Sequence, residues 1–79
     1  MMKFYQLDVT GLPCPMPLIK LKQAMATQKV DVIELHASDP GSLRDIPAFG
    51  AQQGMKVEVV RSEGAPYVFN IYVSKEYDV

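Results

Sequence analysis

The chain contains one cysteine and one histidine among its 79 residues, and no long apolar run. A lone cysteine forms no internal disulfide, and it cannot make the Cys-x-x-Cys pair of a thiol oxidoreductase. One cysteine and one histidine also fall short of the four ligands of a structural zinc centre. No stretch approaches the roughly 18 apolar residues of a membrane span. The opening residues, Met1-Met2-Lys3-Phe4-Tyr5-Gln6, lack the apolar segment of a signal peptide. Neither sign of charge dominates: 8 basic and 9 acidic residues leave a formal net charge of -1, with no basic block. Stable direct binding to nucleic acid is therefore not expected. These absences make the cytosol the expected location, where thiols stay reduced. No metal and no other cofactor is expected.

Apolar residues make up 48% of the chain, an ordinary fraction for a folded domain. A chain this short buries only about 60% of its unfolded surface, so its core must be thin. We read residues 1–79 as one domain, expected to act as a monomer. There are no repeats, linkers or low-complexity tracts.

Tyr5-Gln6-Leu7-Asp8-Val9 alternates, with Tyr5, Leu7 and Val9 on one face, and reads as a strand that Gly11-Leu12-Pro13 ends. From Pro15 the period becomes helical: Leu18, Leu21 and Met25 share a stripe, opposite Lys20, Gln23 and Thr27. This helix is expected to reach about Thr27. Pro15 and Pro17 fit in its first turn, where backbone N–H groups have no helical partner. Val30 to Ala37 reads as a second strand, with Ile33, Leu35 and Ala37 inward and Glu34 and His36 outward. Asp39-Pro40-Gly41-Ser42 is turn chemistry. Ser42 followed by Asp45 resembles a loose helix cap, with Pro47 near the first turn and Gly54 just past the helix end. Met55 to Arg61 alternates with Met55, Val57 and Val59 inward, and Glu63-Gly64 signals a hairpin into a last strand facing in through Tyr67, Phe69, Ile71 and Val73. The order β-α-β-α-β-β predicts an α/β (α+β) two-layer sandwich. Its four-stranded mixed sheet carries two helices on one face. Gln6, Asp8, Glu34, His36 and Asn70 belong to the other face.

Cys14 stands in Gly11-Leu12-Pro13-Cys14-Pro15-Met16-Pro17, where strand gives way to helix. The positive end of a helix stabilises thiolate over thiol. The prolines fix the loop on either side of the sulfur, but Pro15 and Pro17 also remove donors that could solvate an anion. The expectation is an accessible thiol with modest activation. His36, the one candidate base, falls on the far face of the sheet, which argues against a Cys-His hydrolase. The residues describe a thiol that accepts and donates by means of machinery on other proteins, rather than a self-sufficient enzyme.

This motif resembles the TusA/SirA-like sulfur-carrier family. The resemblance runs through Leu7-Asp8, Gly11-Leu12, Cys14-Pro15-Met16-Pro17, the Lys20/Lys22 helix, Asp39-Pro40, Asp45-Ile46-Pro47, Gly54 and Tyr67 to Ile71. It implies a two-layer α/β sandwich with a persulfide on Cys14, framed by Pro13, Pro15 and Pro17. It also implies relay from a cysteine desulfurase or rhodanese-type donor to a downstream acceptor protein, a sulfurtransferase-type role that in some members feeds tRNA thiolation. Three features depart from the family pattern: Gln28 to Asp31 lacks a glycine before the second strand, Gly50 stands where a larger residue is usual, and Ser74 to Val79 extends the carboxyl end.

Met16 and Ile19 lie off the apolar stripe and near Cys14; they either pack against the loop or stand exposed by chance, or they form a docking patch, with Lys20 beside them. Lys20, Lys22 and Arg44 could steer an acidic partner, or simply solvate a helix face. Asp45 could act at the site, although a cap or first-turn role suits it better, and His36 receives no role. Two other readings stay open: an interaction or regulatory module in which Cys14 is structural, and a selenium or redox thiol module.

Overall fold

A computed structural model of the chain describes residues 3–73, so the extension Ser74 to Val79 lies outside the described residues. The elements are β1 (Phe4–Val9), α1 (Met16–Thr27), β2 (Val32–Ala37), α2 (Ser42–Gln53), β3 (Lys56–Arg61) and β4 (Tyr67–Tyr72). The four strands form one sheet in the order β1-β2-β4-β3. β1 runs parallel to β2, from Phe4 opposite Val32 to Val9 opposite Ala37, and the other two pairings are antiparallel. The expected order and mixed four-stranded sheet are therefore present.

The period-2 pattern decides which face the helices cover. Val9, Ile33, Leu35, Ala37, Phe69 and Ile71 are buried from the sheet, and Leu21, Ala24, Ile46 and Phe49 close over them from α1 and α2. On the open face, His36 contacts Glu34 at 2.6 Å and Gln6 at 3.4 Å, and the Asn70 side-chain amide donates to Glu58 at 3.3 Å. That face has one apolar end that the sequence did not suggest. Val32 sits in register between Phe4 and Tyr72 and is fully buried there.

Several local expectations are corrected. The buried stripe of α1 centres on Pro17, Leu21 and Ala24, with Leu18 and Met25 at its flanks. Ser42 is not a cap: Gly41 occupies the N-cap position without a side-chain bond, and Ser42 is buried as the first helical residue. Pro47 lies inside α2, in its second turn rather than its first. Val59 pairs with Phe69 on the inward side but is 43% exposed. β3 is an edge strand, and its register shifts between Val59 and Arg61, so cover fails beyond Val57.

The two departures from the family pattern that fall in the described region have local causes. α1 ends with Gln28 extended (φ -106°, ψ 124°), its N–H donating to Ala24 at 2.8 Å, so no left-handed glycine is needed. Gly50 lies where α2 packs tightly on β3: a Cβ there would meet Val57 Cγ2 at 2.3 Å. α2 then stops at Gly54, whose φ of 71° lets the Met55 N–H reach back to the Gly50 carbonyl at 2.8 Å.

Candidate functional site

Parallel pairing of β1 with β2 brings both strand-to-helix loops to the same end of the sheet. One loop carries Cys14; the other is Ser38 to Gly41, leading into α2. Local bonds fix the first loop. Asp8 accepts from the Thr10 amide at 3.0 Å and its hydroxyl at 2.7 Å. The Leu12 N–H donates to Val9 at 3.2 Å, across a turn that Gly11 makes with φ 84°. The Gly11 N–H donates to the Ser38 hydroxyl at 2.7 Å, tying the Cys14 loop to the end of β2. The Cys14–Pro15 peptide bond is cis.

Cys14 is exposed and is the only cysteine in the chain. The expected activation by the helix end does not appear, because the first turn offers no spare donors. Pro15 and Pro17 have none. The Met16 N–H donates to Pro13 at 2.9 Å, and the Leu18 and Ile19 N–H groups both donate to Pro15, at 3.1 and 3.2 Å. The group that reaches the sulfur comes from α2. Cys14 Sγ donates to Asp45 Oδ2 at 3.1 Å, and the other Asp45 oxygen accepts from Arg44 Nε at 3.3 Å. The bond to Asp45 pushes the Cys14 thiol above its ordinary value. Desolvation and the charges of Asp45 and Asp39 add to this, and Arg44 partly opposes it. The same bond, with Arg44, holds the Asp45 carboxyl below its usual range. This corrects the reading of Cys14 as a modestly activated thiol; Asp45 does stand in the first turn of α2, but it caps nothing and its carboxylate lies on the sulfur. The resting pair is a protonated thiol on a carboxylate.

The other site candidates divide. Pro13 and Pro15 are exposed on either side of Cys14, whereas Pro17 is buried in the first turn of α1. Met16 and Lys20 are half-buried, and Ile19 is 39% exposed. Lys22 places its ammonium 5.4 Å from the Phe49 ring centre, bridging the two helices. Arg44 is spent partly on Asp45. His36 lies on the open face, paired with Glu34, away from the helices that frame Cys14. Asp45 also borders an open groove of about 450 Å³ between the helices, lined by Leu18, Lys22, Ala48, Phe49 and Gln52. Gly41 is more than a turn residue: a Cβ there would lie 3.8 Å from Cys14 Cβ and collide with Asp39 at 2.8 Å. Reading Asp39-Pro40-Gly41 as the loop after a strand parallel to β1 brings the first turn of α2, which carries Asp45, to the same end of the sheet as Cys14. Among the described residues no group of three or more His, Cys, Asp or Glu side chains converges as a metal site, and no helix is long and apolar enough to cross a membrane.

The sequence matches the family model described as Sulfurtransferase TusA over residues 5–75. It is 36% identical over 67 residues to the sulfur carrier protein TusA of Allochromatium vinosum, covering 84% of this chain and 88% of that one. It is 41% identical over 59 residues to YrkF of Bacillus subtilis, which bears a provisional sulfur-carrier name; the match covers 73% of this chain and 32% of that longer one. The crystal structure of a SirA-like protein from Desulfitobacterium hafniense superposes with a TM-score of 0.73 at 20% identity, over 86% of this chain and 95% of that one, which shows the shared fold. The extent of the family match and the identity to the Allochromatium carrier together place this chain in the TusA/SirA-like family of sulfur-carrier proteins.

Proposed function

We propose that the chain carries sulfane sulfur as a persulfide on Cys14, taking it from a cysteine desulfurase or rhodanese-type donor protein and giving it to an acceptor protein. The observation that carries this reading is an exposed Cys14 with no second thiol in the sequence to resolve a persulfide. In loading, Cys14 sulfur attacks the terminal sulfur of the donor persulfide. The new bond is Cys14 S–S; the bond that breaks joins that sulfur to the donor cysteine, which leaves with the electron pair and takes a proton. Delivery repeats the step with Cys14 as the leaving group, so no outside oxidant or reductant enters.

The exposed setting of Cys14 supports both steps, since each needs in-line approach by a partner's sulfur. Pro13 and Pro15 hold the loop open, and Met16, Ile19 and Lys20 form the rim that a partner meets first. Incubation with a cysteine desulfurase and cysteine is expected to raise the intact mass by one sulfur atom, a gain that Cys14→Ser removes. A chain that gains no mass from any persulfide donor contradicts the reading. A Cys14→Ser chain that still performs the protein's role in cells contradicts it equally.

A further inference from the structure

A carrier of this kind alternates between an empty thiol and a loaded persulfide, and the charges around Cys14 treat the two differently. In the empty state Cys14 Sγ donates to Asp45 Oδ2 at 3.1 Å, and a carboxylate is an acceptor only. A persulfide is a stronger acid than its parent thiol and is ionised at neutral pH. Once loaded, the sulfur has no proton to give, and an anion faces the Asp45 carboxylate. We propose that Asp45 is a positioning residue that favours the empty carrier over the loaded one, so that sulfur taken up stays easy to pass on. This inference rests on the carrier reading.

The balance can be written with a small persulfide. Cys14–SH plus RSS⁻ gives Cys14–SS⁻ plus RSH. The terminal sulfur moves between the two sulfurs, and the Cys14 proton ends on the released RS. Charge is conserved, but the negative charge has moved from solution to within reach of Asp45. Asp39, from the loop before α2, acts in the same direction, while Arg44 opposes both. Cys14's neighbours in the loop, Leu12, Pro13 and Pro15, carry no charge. Arg44 is 85% exposed and Asp45 only 26%, so the carboxylate is the better fixed of the two charges.

The test is the equilibrium constant for sulfur exchange with glutathione persulfide at neutral pH, read as the loaded fraction by intact mass. Asp45→Asn is expected to raise the constant toward the loaded form by about 2- to 5-fold, the range set by one exposed charge contact. Asp45→Glu should move it back toward wild type, and the gap should shrink at about 1 M salt, where screening acts within roughly 3 Å. Arg44→Gln removes the offsetting cation and should lower the constant, which keeps the test open even if the Asp45 variants fold poorly. A purely structural role for Asp45 predicts no dependence on salt and no opposite response at Arg44. An Asp45→Asn constant equal to or below wild type at low salt, in a folded chain that loads, overturns this inference alone. A wild-type chain that takes no sulfur overturns the carrier reading and this inference with it.

Discussion

Replacing Gly50 by alanine tests how α2 is held in place, and with it the position of Asp45. A Cβ at residue 50 would lie 2.3 Å from Val57 Cγ2. Unstrained carbon contacts are about 3.5–4.0 Å, so the helix and strand must separate by roughly 1 Å or more. Val57 cannot swing aside freely: it is β-branched, and Ile71 on β4 stands opposite it in register. Overpacking of this kind costs about 1–3 kcal/mol, and alanine in a helix interior returns about 0.5–1 kcal/mol relative to glycine. The difference spans about 0–2.5 kcal/mol, and so short an approach selects its upper part, about 1–2 kcal/mol, or a fall in Tm of roughly 5–15 °C for a domain of this size. Urea unfolding followed by circular dichroism measures it. Val57→Ala provides the control, because it removes the atom that collides. In that background Gly50→Ala should be close to neutral, giving a coupling of about 1 kcal/mol or more between the two sites. A Gly50→Ala chain as stable as wild type, or additive behaviour in the double variant, would refute the claim that close packing on Val57 requires glycine here.

Three further outcomes follow from the site. Ile19→Glu is expected to slow loading from a donor protein by roughly tenfold while leaving thermal unfolding and loading from glutathione persulfide unchanged; equal slowing with the small persulfide would remove Ile19 from the docking rim. The alkylation rate of Cys14 by iodoacetamide should rise with pH through a midpoint above the ordinary thiol value, and Asp45→Asn should move that midpoint down; a wild-type midpoint at or below the ordinary value contradicts the hydrogen-bonded resting pair. Asp8 is held below the usual carboxylate range by bonds from the Thr10 hydroxyl and amide. A depressed carboxylate adds stability above its unfolded value and loses it on acidification. Asp8→Asn should thus be less stable than wild type at neutral pH, with the gap closing below about pH 4; a gap independent of pH counts against this.

The alternation of apolar residues carried most of the fold. Ile33, Leu35 and Ala37, like Phe69 and Ile71, stand where a period of two puts them, and Gly54 ends α2 as a left-handed residue. Val59 shows the limit of that reasoning: alternation assigns a face, but burial also needs something above that face, and an edge strand with a register shift has less of it. The site was legible as a sequence position but not as an electrostatic environment. Cys14 and Asp45 are 31 residues apart, and only the parallel pairing of β1 and β2 brings their loops together. The expected activation of the thiol was a helix-end argument. It failed because that argument depends on free N–H groups, and here two are replaced by proline while the others bond to the carbonyls of Pro13 and Pro15.

The account turns on Cys14 giving up what it receives. The most direct test is a pulse and chase with radiolabelled sulfur. The chain is loaded by a desulfurase from labelled cysteine, separated from donor and free label, and mixed with an acceptor thiol protein. We expect the label to sit on Cys14 in the first step, at no more than one sulfur per chain, and to move to the acceptor in the second while the chain returns to its unmodified mass. Label that stays on the chain, or that binds equally well after Cys14→Ser, would contradict a relay through this residue.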